Sequence, residues 1–228
     1  RRLVVAGCLS QRYPEALAAE LPEVDHFLGA GDVPSLREVL AGRAPRVAVG
    51  APGRWLLSAS DPRRLSTRGG SAYVKIAEGC SRRCAFCVIP SLRGAQRSRT
   101  PLDVLREVKN LVALGVREVN LVSQDTLAYG RDLRPRVELA TLVERIADVP
   151  GIDWVRLHYL YPEPLPRPLL ALLADHPRVL PYVDIPFQHA SDAMLRRMRR
   201  GHGARRLHEL VTTLHERVPG VVIRSAFI

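Results

Sequence analysis

The sequence predicts an α/β protein with parallel strands: a small α/β unit, a linker, and a larger sheet curling toward a barrel. Three observations predict it. Strand-like and helical stretches alternate through residues 3–40, as in a parallel α/β unit. Pro, Gly, Ser and Arg then dominate from Arg43 to Gly70, a composition that marks a linker. From Ala72 onward strands and helices alternate again, and five strands alternating with helices imply a parallel sheet closing on itself. The domain bounds drawn from this are 1–45, a linker over 46–70, and 71–228.

In the first region, Leu3–Ala6 reads as a short buried strand ended by Gly7-Cys8, and a helical stretch with Leu17 and Leu21 follows, with Pro22 beyond it. Val24–Leu28 is a second strand, followed after Gly29-Ala30-Gly31 by a helix to about Leu40. In the larger region, Ala72–Ala77 is a strand that feeds a cysteine-rich loop. Thr100-Pro101-Leu102-Asp103 is a helix start, with Thr as cap, Pro at the first helical position and Asp in the first turn. That helix stops at Gly115. Strands are expected over Val119–Val122, Trp154–Tyr159, Tyr182–Phe187 and Val221–Ile228, and helices over Glu138–Ala147, Leu169–Ala174, Asp192–Met198 and Arg205–Val218. Leu207, Leu210, Val211 and Leu214 share one face of the last helix at a period of about 3.6.

Hydrophobic residues make up 46% and charged residues 25% of the 228, an ordinary globular composition. No apolar run reaches transmembrane length and no signal peptide is evident, so a cytoplasmic protein with no membrane partner is expected. The chain begins without Met and stops inside an apolar run, and reads as a piece of a longer protein. The formal net charge of +11 favours polyanionic partners, although most of the arginines read as solvated faces. The densest basic stretch, Arg196 to Arg206, is either a solvated helix pair and loop or a ribosomal RNA contact.

Three of the four cysteines fall within eight residues, in Glu78-Gly79-Cys80-Ser81-Arg82-Arg83-Cys84-Ala85-Phe86-Cys87. Disulfide frameworks spread their cysteines, so this clustering argues for metal in a reducing compartment. The C-x3-C-x2-C spacing lies at the C-terminal end of a predicted strand, where parallel α/β sheets place ligands. Three thiolates hold three irons of a 4Fe–4S cluster and leave the fourth open. S-adenosylmethionine (SAM) can chelate that iron, take an electron from the cluster and give a 5′-deoxyadenosyl radical, chemistry that belongs to the cofactor. A structural zinc site would need a fourth ligand, which here would be Cys8 or a distant His such as His158 or His189, and a closed cluster would need a fourth Cys.

The stretch Glu78–Arg99 resembles the radical SAM segment of the methylthiotransferases, with Gly94-Ala95-Gln96-Arg97-Ser98-Arg99 similar to the G-x-x-R-S-R that follows their cluster loop. Cys8, in Ala6-Gly7-Cys8-Leu9-Ser10-Gln11-Arg12-Tyr13, resembles the third cysteine of that family's amino-terminal domain. The resemblance implies a partial (βα)6 radical SAM barrel preceded by part of a Rossmann-like α/β domain. It implies that Cys80, Cys84 and Cys87 hold the SAM-bound 4Fe–4S cluster, and that Cys8 is one ligand of a second, auxiliary 4Fe–4S cluster in the full-length protein. Phe86 is expected near the adenine of SAM. Gln124 and Gln188, at strand ends, are expected to contact SAM or substrate, or else to cap the following loops. Arg97 and Arg99 could pair with a carboxylate of SAM or substrate, or could salt-bridge the barrel rim. His189 reads equally as a supporting residue and as a catalytic one, and Tyr159 and Tyr161 as core and rim.

Ser123-Gln124-Asp125-Thr126-x-x-Tyr129-Gly130, Tyr159-Leu160-Tyr161-Pro162 and Asp184-Ile185-Pro186-Phe187-Gln188-His189-Ala190-Ser191 resemble the ribosomal-protein branch of the family. That branch implies methylthiolation of the β-carbon of an aspartate in a small-subunit ribosomal protein, with the ribosome and a reducing electron donor as partners. The alternatives are a tRNA adenosine methylthiotransferase and, from another class, a non-enzymatic iron–sulfur or zinc protein that binds RNA. The first two amino-terminal cysteines, the last barrel strand and the carboxy-terminal domain of the family are absent, so this fragment is expected to be inactive for the full reaction.

Overall fold

A computed structural model describes residues 2–65 and 70–228. In chain order the elements are β1 (Val4–Ala6), α1 (Cys8–Arg12), α2 (Pro14–Glu20), β2 (His26–Leu28), α3 (Leu36–Leu40), β3 (Val47–Ala48), β4 (Ser71–Lys75), β5 (Ala77–Glu78), α4 (Ile89–Arg93) and β6 (Arg97–Ser98). They continue with α5 (Pro101–Ala113), β7 (Glu118–Val122), α6 (Leu139–Ala147), β8 (Trp154–Leu157), α7 (Arg167–Asp175), β9 (Val179–Asp184), α8 (Asp192–Arg197), α9 (Ala204–Arg217) and β10 (Val222–Arg224). They fall into two compact units, one of residues 1–56, 78–82 and 87–95, the other of 57–77, 83–86 and 96–228.

The first unit carries a three-stranded parallel sheet in the order β1-β2-β3. Phe27, Leu28, Val24 and Val39 are buried and form its apolar centre. The strand β3 lies inside the stretch expected to be linker: Phe27 pairs with Val47 and Leu28 with Ala48. A two-residue strand has no periodicity to read; its partner strand, not its own sequence, makes it a strand. Residues 66–69 of that expected linker lie outside the described residues.

The second unit holds a five-stranded parallel sheet in the order β10-β9-β8-β7-β4, each strand beside its successor in sequence. This is the part-closed barrel arrangement that the alternating pattern predicts. Val119, Leu121, Val155, Leu157 and Val183 on one face of the sheet are buried among Leu105, Val108, Leu142, Ile146, Leu169 and Leu214 of the helices. Each such side chain contributes about 1.5–3 kcal/mol when fully buried. The stripe expected on α9 is confirmed, with Leu207, Leu210 and Leu214 buried and Val211 packed against the core.

The fourth barrel strand differs from expectation. It runs over Val179–Asp184 rather than Tyr182–Phe187. Pro181, which lacks an N–H, lies inside the strand. The pairing with β8 shifts register between Val155↔Val179 and Leu157↔Val183, and Pro181 falls in that irregularity.

The start of α5 is as predicted: Thr100 is extended (φ −65°, ψ 148°) and its hydroxyl accepts the Asp103 N–H at 3.3 Å. Thr100→Ala is expected to cost about 1 kcal/mol. A urea titration with unchanged slope but lower midpoint would register it, and an unmoved midpoint would show the cap to be idle.

Candidate functional site

From β4 the chain runs through Ala77–Glu78 into the cysteine loop, and the boundary between the two units passes through that loop. Gly79, just before Cys80, has φ +82°, and a Cβ there would lie 2.3 Å from the Ala95 carbonyl oxygen. Only glycine tolerates both the left-handed backbone and that approach. The Cys80 N–H donates to Gly94 O at 3.1 Å, and the Cys80 Sγ accepts the Arg82 N–H at 3.4 Å. Cys80 is buried, Cys84 half-buried and Cys87 exposed.

Cys84 belongs to the second unit and is held there. The Arg200 guanidinium Nη1 donates to Cys84 Sγ at 3.3 Å, and the N–H of the next residue, Ala85, donates to Met198 O at 2.9 Å. Phe86 is 45% exposed. Cys8 opens α1 in the first unit, half-buried, and its Sγ accepts from Arg93 Nη2 at 3.3 Å. Arg93 also reaches Glu78 Oε1 at 3.1 Å, so one guanidinium joins Cys8 to the residue two before Cys80.

The remaining sequence candidates separate into two groups. Gln124 follows β7 and Gln188 follows β9; both are half-buried at C-terminal strand ends. Gln188 adopts φ 71°, its N–H donating to Ala226 O and its carbonyl accepting from Ile228 N, each at 2.9 Å. Arg97 is half-buried on β6. Arg99 is tied to the framework of its own unit. It is only 2% exposed, its Nε donates to Asp103 Oδ2 at 2.8 Å and its Nη1 donates to Lys75 O at 2.7 Å and to Glu107. Its fork is spent on tying the end of β4 to α5, the second of the two roles its sequence allowed. Tyr129 donates its hydroxyl proton to Arg99 O at 2.8 Å, and burial pushes that phenol well above its ordinary pKa.

A polar face escaped the sequence reading. The face of the five-stranded sheet opposite the helices bears Asn120, Arg156, His158, Tyr182, Asp184 and Arg224. His158 Nε2 lies 3.1 Å from Asn120 Oδ1 and its Nδ1 lies 3.3 Å from Asp184 Oδ2, which also accepts from Arg224 Nη1 at 2.9 Å. Burial, with the Asp184 charge behind it, raises the Tyr182 phenol above its ordinary pKa. The available signal was the period-two spacing of polar residues, Glu118-x-Asn120, Arg156-x-His158 and Tyr182-x-Asp184, inside otherwise apolar strands. His158 is engaged here rather than free to be a fourth zinc ligand. Among the described residues no three His, Cys, Asp or Glu side chains gather as around one metal ion. Thiols strung along one loop suit a cluster, where each thiolate takes a separate iron.

The fold and this loop define a class. The chain belongs to the Radical SAM superfamily, which residues 74–228 match. It is similar along all of its length to curated relatives called ribosomal protein uS12 methylthiotransferase RimO. The relative from Sorangium cellulosum (strain So ce56) is 67% identical and that from Anaeromyxobacter sp. (strain K) 48% identical. The chain spans 48% and 49% of those proteins, about half their length. Among solved structures, the radical SAM methyltransferase TsrM of Kitasatospora setae matches 98% of the chain and 49% of its own length, with TM-score 0.67 and 18% identity. The cobalamin-dependent radical enzyme OxsB matches 99% of the chain and 36% of its own, with TM-score 0.64 and 12% identity. These two likenesses speak to the fold. Superfamily membership implies an iron–sulfur cluster and SAM, and the donors fit: soft thiols in a loop whose sulfurs already accept N–H groups. No described helix is long and apolar enough to cross a membrane.

Proposed function

We propose that the protein containing this chain is a radical SAM methylthiotransferase that adds a methylthio group to the β-carbon of an aspartate in the small-subunit ribosomal protein uS12. The observation that carries this reading is the 67% identity, over all of this chain, to a curated uS12 methylthiotransferase. In this reading Cys80, Cys84 and Cys87 hold the 4Fe–4S cluster, Cys8 is one ligand of an auxiliary cluster completed by the rest of the protein, and residues 71–228 are the barrel that serves both. When bound, the cluster and SAM supply the electron and the hydrogen abstraction.

The chain's own residues bind and orient. Phe86 offers an aromatic face to the adenine, while Gln124, Gln188 and Arg97 offer amide and guanidinium donors at or near the strand ends where SAM and substrate would lie. Arg99 is left out of this set and holds the framework instead. The exposed arginines Arg196, Arg197, Arg199, Arg205 and Arg206 supply a basic surface for ribosomal RNA, and the setting is the cytoplasm, where a reducing electron donor is available.

Mass spectrometry of uS12 and of tRNA from a deletion strain tests the assignment. The expected result is loss of the methylthio group from the uS12 aspartate, restored by the complete gene, with tRNA unchanged. Methylthio-adenosine lost from tRNA, with uS12 untouched, would move the protein to the tRNA branch.

A further inference from the structure

Arg200 is a buried cation that lacks a carboxylate. It follows α8, is 4% exposed, and is a neighbour to a cysteine of the cluster loop. Its Nη1 donates to Cys84 Sγ at 3.3 Å and its Nη2 to Pro186 O at 2.7 Å. Its Nε is buried with no hydrogen-bond partner, and among the described residues no Asp or Glu pairs with it. The other deeply buried guanidinium of this unit, Arg99, has two carboxylates. A cation taken out of water without a counter-charge is strongly disfavoured, so Arg200 calls for an anion beside Cys84.

Its surroundings fix it there. The guanidinium stacks over Tyr161 at 4.5 Å, the Tyr161 hydroxyl donates to the Arg200 carbonyl, and the Arg200 N–H donates to Leu195 O at 3.1 Å. Arg199, just before it, takes the left-handed backbone at φ 54°. The Ala85–Met198 hydrogen bond ties the loop beside Cys84 to the same segment. The side chain is therefore aimed at one sulfur by a rigid setting.

We infer that Arg200 is the counter-charge of the iron–sulfur cluster, a positioning residue that donates a hydrogen bond to the Cys84 thiolate and raises the cluster's reduction potential. The inference rests on the reading of Cys84 as a cluster ligand. Reduction adds one negative charge, and a fixed positive charge with an N–H aimed at a ligand sulfur favours the reduced form. Without Arg200 the cluster would be harder to reduce, and the electron donor would have to be more strongly reducing to start the reaction.

The test is a redox titration of the full-length protein followed by electron paramagnetic resonance, reading the cluster signal that shifts when SAM is added. In Arg200→Gln the one-electron equilibrium is expected to fall at least tenfold, which is about 59 mV for such a couple, with iron content retained. Arg200→Lys, which keeps the charge, is expected to recover most of the loss. An unchanged potential in a cluster-loaded Arg200→Gln protein overturns the inference. A second measurement needs no variant: with arginine 15N-labelled only in its guanidinium group in the wild-type protein, which leaves the Arg82 amide at Cys80 silent, pulsed resonance of the reduced cluster is expected to show coupling to a guanidinium nitrogen. That coupling should vanish in Arg200→Lys, and its absence from the wild type overturns the inference even if the Gln variant fails to load. Failure of the underlying reading looks different, because Cys84→Ala would then keep the SAM-responsive signal.

Discussion

Alanine at Cys84 is expected to abolish the proposed SAM-responsive cluster of the full-length protein: iron bound at this site should fall from about four per chain toward none, and reductive cleavage of SAM to 5′-deoxyadenosine should drop below detection. The size of the effect follows from the ligand count. Three thiolates already leave one iron open, so a cluster with two protein ligands has too few anchors to persist. Cys84 is also held within its own unit, through Arg200 and through Ala85–Met198, so its removal takes away a supported sulfur. Anaerobic reconstitution with iron and sulfide, followed by chromatography of the SAM products, checks this. Normal 5′-deoxyadenosine formation by a folded Cys84→Ala protein would sink the assignment of the whole loop. Cys84→Ser, which keeps the shape with a poorer ligand, should be nearly as inactive, separating loss of ligation from loss of packing.

What the sequence made legible was whatever is written locally. The cap at Thr100, the apolar face of α9 and the strand-to-loop passage at Cys80 each depend on residues a few positions apart, and each is found as expected. Whatever depends on a distant partner was harder to read. Val47–Ala48 is a strand only because Phe27 and Leu28 lie beside it, and β9 starts three residues early because a register irregularity accommodates Pro181. The polar network follows the same rule. His158 read as a distant candidate zinc ligand, because nothing in its neighbourhood along the chain announces Asn120 or Asp184, 38 and 26 residues away. Arg200 is lost in a run of arginines that composition assigns to solvent, and only burial singles it out.

Arg99 carries the same lesson and the second large prediction. Its motif neighbours make it look like a ligand contact, yet its Nε and Nη1 are both hydrogen-bonded inside the second unit. Nε donates to Asp103 Oδ2 at 2.8 Å, Nη2 ion-pairs with that oxygen at 2.7 Å without a hydrogen bond of its own, and Nη1 serves Lys75 O and Glu107. Its side chain is 1% exposed and that of Glu107 8%, so water screens the pair little. Removing one partner of a buried ion pair leaves the other uncompensated, at a cost of about 3–5 kcal/mol. Here Glu107 keeps Arg63 and Asp103 keeps the Ala59 N–H at 3.0 Å, so Arg99→Met is expected near the lower end, about 3 kcal/mol. That is a large part of the roughly 5–15 kcal/mol that holds a domain together. Arg99→Lys should recover only part of the loss, since an ammonium cannot fork between Asp103 and Glu107. The urea midpoint, read at constant slope, measures both variants. If Arg99→Met kept its midpoint but lost affinity for SAM, Arg99 would belong to the cofactor site after all; a lowered midpoint with SAM affinity intact in the folded protein places it in the framework joining β4 to α5.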